Sequence, residues 1–286
     1  MPAAAFAGVR CRRITDDDLP AVAGLLSTGF WLRPKQYWLR GLERQADRQR
    51  PKGCPTYGYL LEHAGAPVGA VLLFYSSAPS GVGMILRCNL SSWYVEPRFR
   101  SFGSLLISAA IKDQSVTYFS ISSAPHTWPI VEALGFSIYC HGEMHALPSL
   151  KRPVERCEIV TQKSGAADLP ERDLLQQHAK LGCLSFVLRH DGENCPFIFQ
   201  RYRVKRVLPS YRLIYCRNIA DFVRFAGNVG RFLLMRGTPL VVVDANGPIP
   251  GLVGRYTERR GRKYARGPHT PKLGDLTFTE GVFFDA

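Results

Sequence analysis

Trp93-Tyr94-Val95-Glu96-Pro97-Arg98-Phe99-Arg100-Ser101-Phe102-Gly103-Ser104-Leu105-Leu106 is the stretch that decides the fold. The run Met84 to Val95 predicts a strand, and Pro97 ends it because proline cannot donate to a ladder. A helix is expected from about Ser101 to Lys112, with Phe102, Leu105, Leu106 and Ala109 as its buried face. The first amides of a helix have no internal partner and carry partial positive charge, and a glycine at position 103 lets a ligand approach the backbone. Open amides over residues 101 to 105 would make a site for a pyrophosphate. The same residues also read as an ordinary capped helix with nothing bound.

Upstream, Val9 to Ile14 predicts a short strand, and Thr15-Asp16-Asp17-Asp18 caps a helix whose apolar face is Leu19, Val22, Ala23 and Leu26. A second helix is expected over Pro34 to Arg48. Tyr57 to Glu62 and Val68 to Tyr75 form a hairpin around His63-Ala64-Gly65-Ala66. Downstream, Val116 to Ile121 reads as a strand, Thr127 caps a helix that Gly135 ends, and Phe136 to Cys140 resumes as strand.

The second half repeats the order hairpin, strand, helix, strand about 120 residues later. Cys183 to His190 and Phe197 to Val204 flank an Asp191-Gly192 turn, Tyr211 to Arg217 is a strand, and Ile219 to Arg236 is a helix. Leu240 to Asp244 and Leu276 to Phe284 are the closing strands, and Leu147 to Glu155 is a linker. Two domains follow, residues 8–148 and 155–286, as a duplicated unit.

With 286 residues, 46% hydrophobic and 21% charged, the chain has enough apolar surface for a core, which rules out wholesale disorder. Its longest apolar stretches, such as Ala70 to Tyr75, are far short of a bilayer span, so no membrane insertion is expected. The start, Met1 to Val9, lacks the charge and apolar length of a secretory signal. Eight cysteines form no C-x-x-C pair, which fits reduced thiols in a cytoplasm. The net charge of +14 divides as +4 over residues 1–150 and +10 over 151–286. Such a surface favours anions, whether nucleic acid, acidic membrane or phosphorylated small molecules.

The segment Val95-Glu96-Pro97 followed by Arg100-Ser101-Phe102-Gly103 resembles the acyl-CoA-binding motif of the GNAT acyltransferase superfamily, a V-x-P strand end followed by an R-x-x-G-x-G/A loop and a helix. Glu132-Ala133-Leu134-Gly135-Phe136 is similar to the family's E-x-L-G-F signature. The resemblance covers about residues 8–148. It implies an α/β fold with a mixed, largely antiparallel sheet flanked by helices, here as two tandem GNAT-like halves. It also implies acetyl-CoA or another acyl-CoA as co-substrate, bound by Tyr94, Val95, Arg100, Ser101, Phe102, Gly103 and Ser104. The reaction implied is attack of an amine, less often a hydroxyl, of a small molecule or peptide on the thioester. Departures are plain: the loop's final Gly or Ala falls on Leu105, and the Asn and Tyr that the family often carries fall on Ala124 and Val131.

For proton transfer the candidates are His126, which follows the 116–121 strand, with Tyr139 and Glu96 behind it. No carboxylate lies within Met84 to Val95. Cys140, His141 and His145 could ligate zinc only from a helix, and strand and turn are expected there, so no metal is expected. The basic run Arg255 to Arg266, interleaved with Tyr256 and Tyr264, reads as a solvated loop, with single-stranded nucleic acid or a phosphorylated substrate as alternative partners. Arg201 to Arg206 adds charge on an edge or outer face. The helix start at Asn218-Ile219-Ala220-Asp221 has no R-x-x-G, so the second half is expected to be structural or substrate-binding. The rival reading is a non-catalytic protein of this fold that binds nucleic acid or a partner through its basic second half.

Overall fold

The computed structural model describes residues 8–80, 83–161, 169–204 and 207–284. The reading of the chain start falls mostly outside them, as do Lys205 and Arg206 of the second basic run. No helix is long and apolar enough to cross a membrane among the described residues. The chain forms two compact units. The first takes the described residues of Met1–Ser137, Ala265–Thr270 and Phe278–Asp285, and the second those of Ile138–Tyr264 and Pro271–Thr277.

In the first unit the strands β1 (Arg10–Arg13), β2 (Gly58–His63), β3 (Ala66–Ser80), β4 (Gly83–Val95) and β5 (Thr117–Ser120) pair in that order. All pairs are antiparallel except β4 with β5, which is parallel. Helices α1 (Leu19–Gly29) and α2 (Lys35–Ala46) lie between β1 and β2, and α3 (Gly103–Ala110) and α4 (Trp128–Ala133) follow β4 and β5. Asp18 anchors the start of α1: its carboxylate accepts from Thr15 N–H at 2.8 Å and from Arg12 at 2.6 and 2.8 Å. The β2–β3 turn places Ala64 and Gly65 at φ 49° and 77°, the left-handed pair that a tight hairpin needs.

The second unit repeats this pattern. Its strands are β6 (Ser137–Ala146, from Ile138 on), β7 (Glu158–Thr161), β8 (Leu184–His190), β9 (Glu193–Val204), β10 (Leu208–Cys216), β11 (Val241–Ala245) and β12 (Gly254–Arg266, up to Tyr264). Strands β7, β8, β9 and β10 pair antiparallel in sequence, and β10 pairs parallel with β11, as β4 does with β5. Helix α5 (Arg172–Lys180) follows β7, while α6 (Ile219–Arg224) and α7 (Ala226–Leu234) connect β10 to β11. Strand β6 pairs with β11. The core is aromatic, with Phe186, Phe197, Phe199, Phe222 and Phe225 all buried beside Val229, Leu233 and Val241.

Several expectations are corrected. The single helix over Ile219 to Arg236 breaks at Phe225, whose φ of −98° and ψ of 13° turn α7 onto residues 148–152. There a Cβ at Gly230 would lie 2.1 Å from Ser149 N and one at Gly227 2.5 Å from Lys151 O, so the expected linker is packed under α7. Gly230→Ala therefore forces backbone apart and should cost about 1–3 kcal/mol or more; a loss under 0.5 kcal/mol in urea unfolding would contradict this close packing. On α3 the buried face is Gly103, Leu106, Ile107 and Ala110, while Leu105 is exposed. The expected loop Arg255 to Arg266 is strand β12, in which Arg260 and Lys263 neutralise acids on β6 and β11. The expected strand Leu276 to Phe284 is a turn followed by α8 (Glu280–Phe284). Asp275 Oδ1 accepts from Thr277 Oγ1 at 2.6 Å and Phe278 takes φ 56°, which breaks extension. Phe283 then stacks on Phe74 at 5.2 Å, and Phe284 packs edge-on to Trp38 at 5.3 Å. Tertiary docking here outweighs the β-propensity of the run.

Candidate active site

Strands β4 and β5 pair from Arg87 with Thr117 to Asn89 with Phe119; β5 ends at Ser120, while β4 continues to Val95. The two strands part beyond Asn89. On the other side of β4 the register slips, because Ala70 faces Tyr94 but Leu72 faces Ser91. Ser92 therefore sits in a bulge at φ 50°. A bulge beside a strand opening re-aims backbone groups toward whatever fills the opening. Asn89, fully buried, spans the fork: its Nδ2 donates to Phe119 C=O at 3.1 Å and to Leu90 C=O at 3.2 Å.

Beyond β4 the chain does not loop. It winds as a 3-10 turn over Pro97–Phe102 and runs directly into α3. Phe99 N–H donates to Glu96 C=O at 2.9 Å, and Gly103 N–H donates to Arg100 C=O. Within the expected stretch of open amides, residues 101–105, the Gly103 hydrogen is spent inside the turn. Pro97 is the physical reason, since its preset φ starts helical winding at once. No side chain caps the α3 start at Phe102. Arg100, Ser101 and Ser104 are exposed there, Phe102 is half-buried and Val95 is buried. A Cβ on Gly103 would meet Trp93 at 3.5 Å.

The remaining candidates fall in different places. Tyr94 turns its ring to the end of α1, where a Cβ on Gly29 would lie 2.4 Å from it. Glu96 is held in the turn, its Oε2 3.6 Å from Arg98 Nε. His126 is exposed on the 3-10 turn Pro125–Thr127 just before α4. Tyr139 is buried on β6, in the second unit. Burial holds the Cys88 thiol, adjacent to Asn89, well above its ordinary pKa, so it stays protonated. A group that sequence reasoning missed is Glu280. Its N–H donates to Asn89 Oδ1 at 3.0 Å, and its two carboxylate oxygens accept from Ser92 Oγ at 3.2 Å and Ser122 Oγ at 3.0 Å. No local signal marks it, because it lies 191 residues from Asn89 in the chain.

In the second unit the corresponding opening is occupied. Leu276 N–H donates to Ile214 C=O at 2.8 Å, and Cys216 N–H to Gly274 C=O at 3.0 Å, so the end of β10 is bonded to residues 274–276. Asn218 Oδ1 caps α6 by accepting from Ala220 N–H at 2.9 Å, and Asp221 adds negative charge to that turn. Cys140, His141 and His145 lie on strand β6, where His145 Nε2 is 3.0 Å from Glu143 Oε1.

No protein-family model and no curated protein matches the sequence. Solved structures do resemble the fold. A GCN5-related N-acetyltransferase from Kribbella flavida superposes with a TM-score of 0.60 at 14% identity, covering 93% of this chain and 72% of that one. One from Anabaena variabilis ATCC 29413 gives 0.57 at 10% identity, covering 90% and 72%. A putative acetyltransferase from Pyrococcus horikoshii gives 0.52 at 14% identity, covering 95% and 92%. With the parted β4 and β5 strands and the β4 bulge opposite β3, these likenesses give the chain the fold of the GCN5-related N-acetyltransferase (GNAT) superfamily.

Proposed function

We propose that this chain is an acyl-CoA-dependent acyltransferase that moves an acetyl or other acyl group to an amine, less readily a hydroxyl, of a small molecule or peptide. The observation that carries the reading is the opening between β4 and β5 with the Ser92 bulge on its flank. In this reading the half expected over residues 8–148 holds the coenzyme, and the half expected over 155–286, apart from residues 265–270 and 278–284 that return to the first unit, is degenerate and structural or substrate-binding. The acyl arm enters the opening, where backbone groups of the bulge polarise the carbonyl. Tyr94 and Val95 flank the arm, and Arg100, Ser101, Phe102, Gly103 and Ser104 meet the diphosphate. With the Gly103 amide spent, charge from exposed Arg100 carries more of that contact than backbone N–H. His126 is a candidate acid or base from its place after β5, with Tyr139 and Glu96 behind it. A cytoplasmic location fits the free thiols of the described cysteines.

The spent Gly103 amide and Val131 at the family's tyrosine position favour a second reading, a non-catalytic protein that binds nucleic acid or a protein partner. Exposed Arg201, Arg203, Arg255 and Arg259 in the second unit would supply that surface.

Calorimetry with desulfo-CoA separates the two. The enzyme reading expects micromolar binding, weakened about tenfold or more by Arg100→Glu. Absence of coenzyme binding, together with steeply salt-dependent binding of a single-stranded RNA, would establish the second reading instead.

A further inference from the structure

The strand that would supply a base, Met84 to Val95, contains no carboxylate, and Glu96 beside it is drawn to Arg98. The fold brings a carboxylate to the same place from the other end of the chain. Glu280 opens α8, and its side chain accepts one hydroxyl hydrogen from each diverging strand segment, Ser92 in the β4 bulge and Ser122 just past β5. Its backbone N–H is fastened to Asn89, the last β4 residue that pairs with β5. The carboxylate thus straddles the fork where the strands part.

The mount is firm. Phe283 is buried against Phe74 and Phe284 against Trp38, Arg44 Nη1 donates to Phe283 C=O at 2.9 Å, and Arg48 covers Phe278 and Phe283 at 5.1 Å. The carboxylate is half-buried, so it is oriented and still reachable.

We propose that Glu280 is the general base of the acyl transfer; the inference rests on the acyltransferase reading. The neutral acceptor amine attacks the thioester carbon, forming the C–N bond, and its surplus proton passes to the Glu280 carboxylate. The C–S bond then breaks, and the departing thiolate takes that proton from Glu280, leaving amide, free thiol and the carboxylate as it began. Ser92 and Ser122 are positioning residues that hold the two oxygens across the opening.

Wild-type protein treated with bromoacetyl-CoA tests the placement. If Glu280 faces the acyl carbon, a carboxylate oxygen displaces bromide from the methylene carbon and forms an ester. Peptide fragmentation by mass spectrometry then finds the adduct on Glu280, and excess desulfo-CoA suppresses it. The Glu280→Gln protein should bind desulfo-CoA within threefold of wild type and carry no adduct at that residue. For any primary amine that wild type acetylates, Glu280→Gln should lower kcat about 10²-fold or more while KM for acetyl-CoA stays within threefold. A purely structural role would weaken coenzyme binding instead. Labelling confined to other residues in a protein that binds desulfo-CoA overturns Glu280 and leaves the acyltransferase reading standing. A wild type that neither binds desulfo-CoA nor takes the label overturns both.

Discussion

Lys263→Met should lower the stability of the second unit by about 3–5 kcal/mol, the cost of breaking a buried pair from one side. Lys263 is 1% exposed, and its Nζ is 2.8 Å from Asp244 Oδ1 and 2.7 Å from Gly261 C=O. Asp244, 3% exposed, is also approached by Arg212 Nη1 at 3.4 Å. Arg212 is itself committed to Glu143 at 2.9 Å, and Glu143 also takes Arg260 and His145 at 3.0 Å each. Methionine matches the length of the lysine stem but leaves the Asp244 charge in a low-dielectric site with the long Arg212 contact at 3.4 Å. Adding Asp244→Leu should restore most of the loss, because an apolar pair of similar volume removes the stranded charge. Chemical denaturation of the two variants measures both effects. A single-variant loss below about 1 kcal/mol would mean that water reaches the network.

The same network contributes to the loss of stability in acid. Burial opposes the charge on Glu143, but Arg212, with help from His145 and Lys263, outweighs it and holds the carboxyl below its ordinary value. A depressed folded-state pKa stabilises the fold fully above the unfolded value of about 4.3. That contribution is lost as pH falls below it, when the unfolded chain binds the proton more readily. Tm should therefore drop on acidification through this range, and the drop should be shallower in Glu143→Gln.

Asn89→Leu should have the second large effect, with a readout at the proposed base. The isosteric apolar side chain removes the donor to Phe119 C=O and the acceptor for Glu280 N–H, both at a fully buried position. Each buried group left without its partner costs about 1–3 kcal/mol. The consequence is local before it is global: α8 loses its tie to β4, and the Glu280 carboxylate loses its fixed place over the fork. Hydrogen exchange should show the Glu280 amide exchanging at least tenfold faster in the variant. Unchanged protection at that amide would mean that the aromatic docking of Phe283 and Phe284 alone sets α8.

The alternation of hairpin, strand and helix was readable because period-2 and period-3.6 apolar patterns act over a few residues. That local logic found β2 to β5 and their counterparts β8 to β11, and it marked the strand end at Pro97. It failed where partners are remote. The charges of β12 looked solvated because Asp244 lies 19 residues before Lys263, and Glu143 lies farther still from Arg260. The amides after Pro97 looked open because sequence does not say how soon helical winding begins. The run Leu276 to Phe284 looked like a strand because its aromatic content was visible and its docking site on α2 and β3 was not.

What the sequence determined by itself is the repeated order of elements and the strand-turn-helix at Pro97, since backbone propensity and apolar spacing are short-range properties. Only the tertiary structure decided that residues 265–270 and 278–284 return to the first unit and that Glu280 reaches Asn89, Ser92 and Ser122. These are contacts between segments 158 to 191 residues apart, formed when aromatic burial beneath α8 offsets the entropy of closing so long a loop.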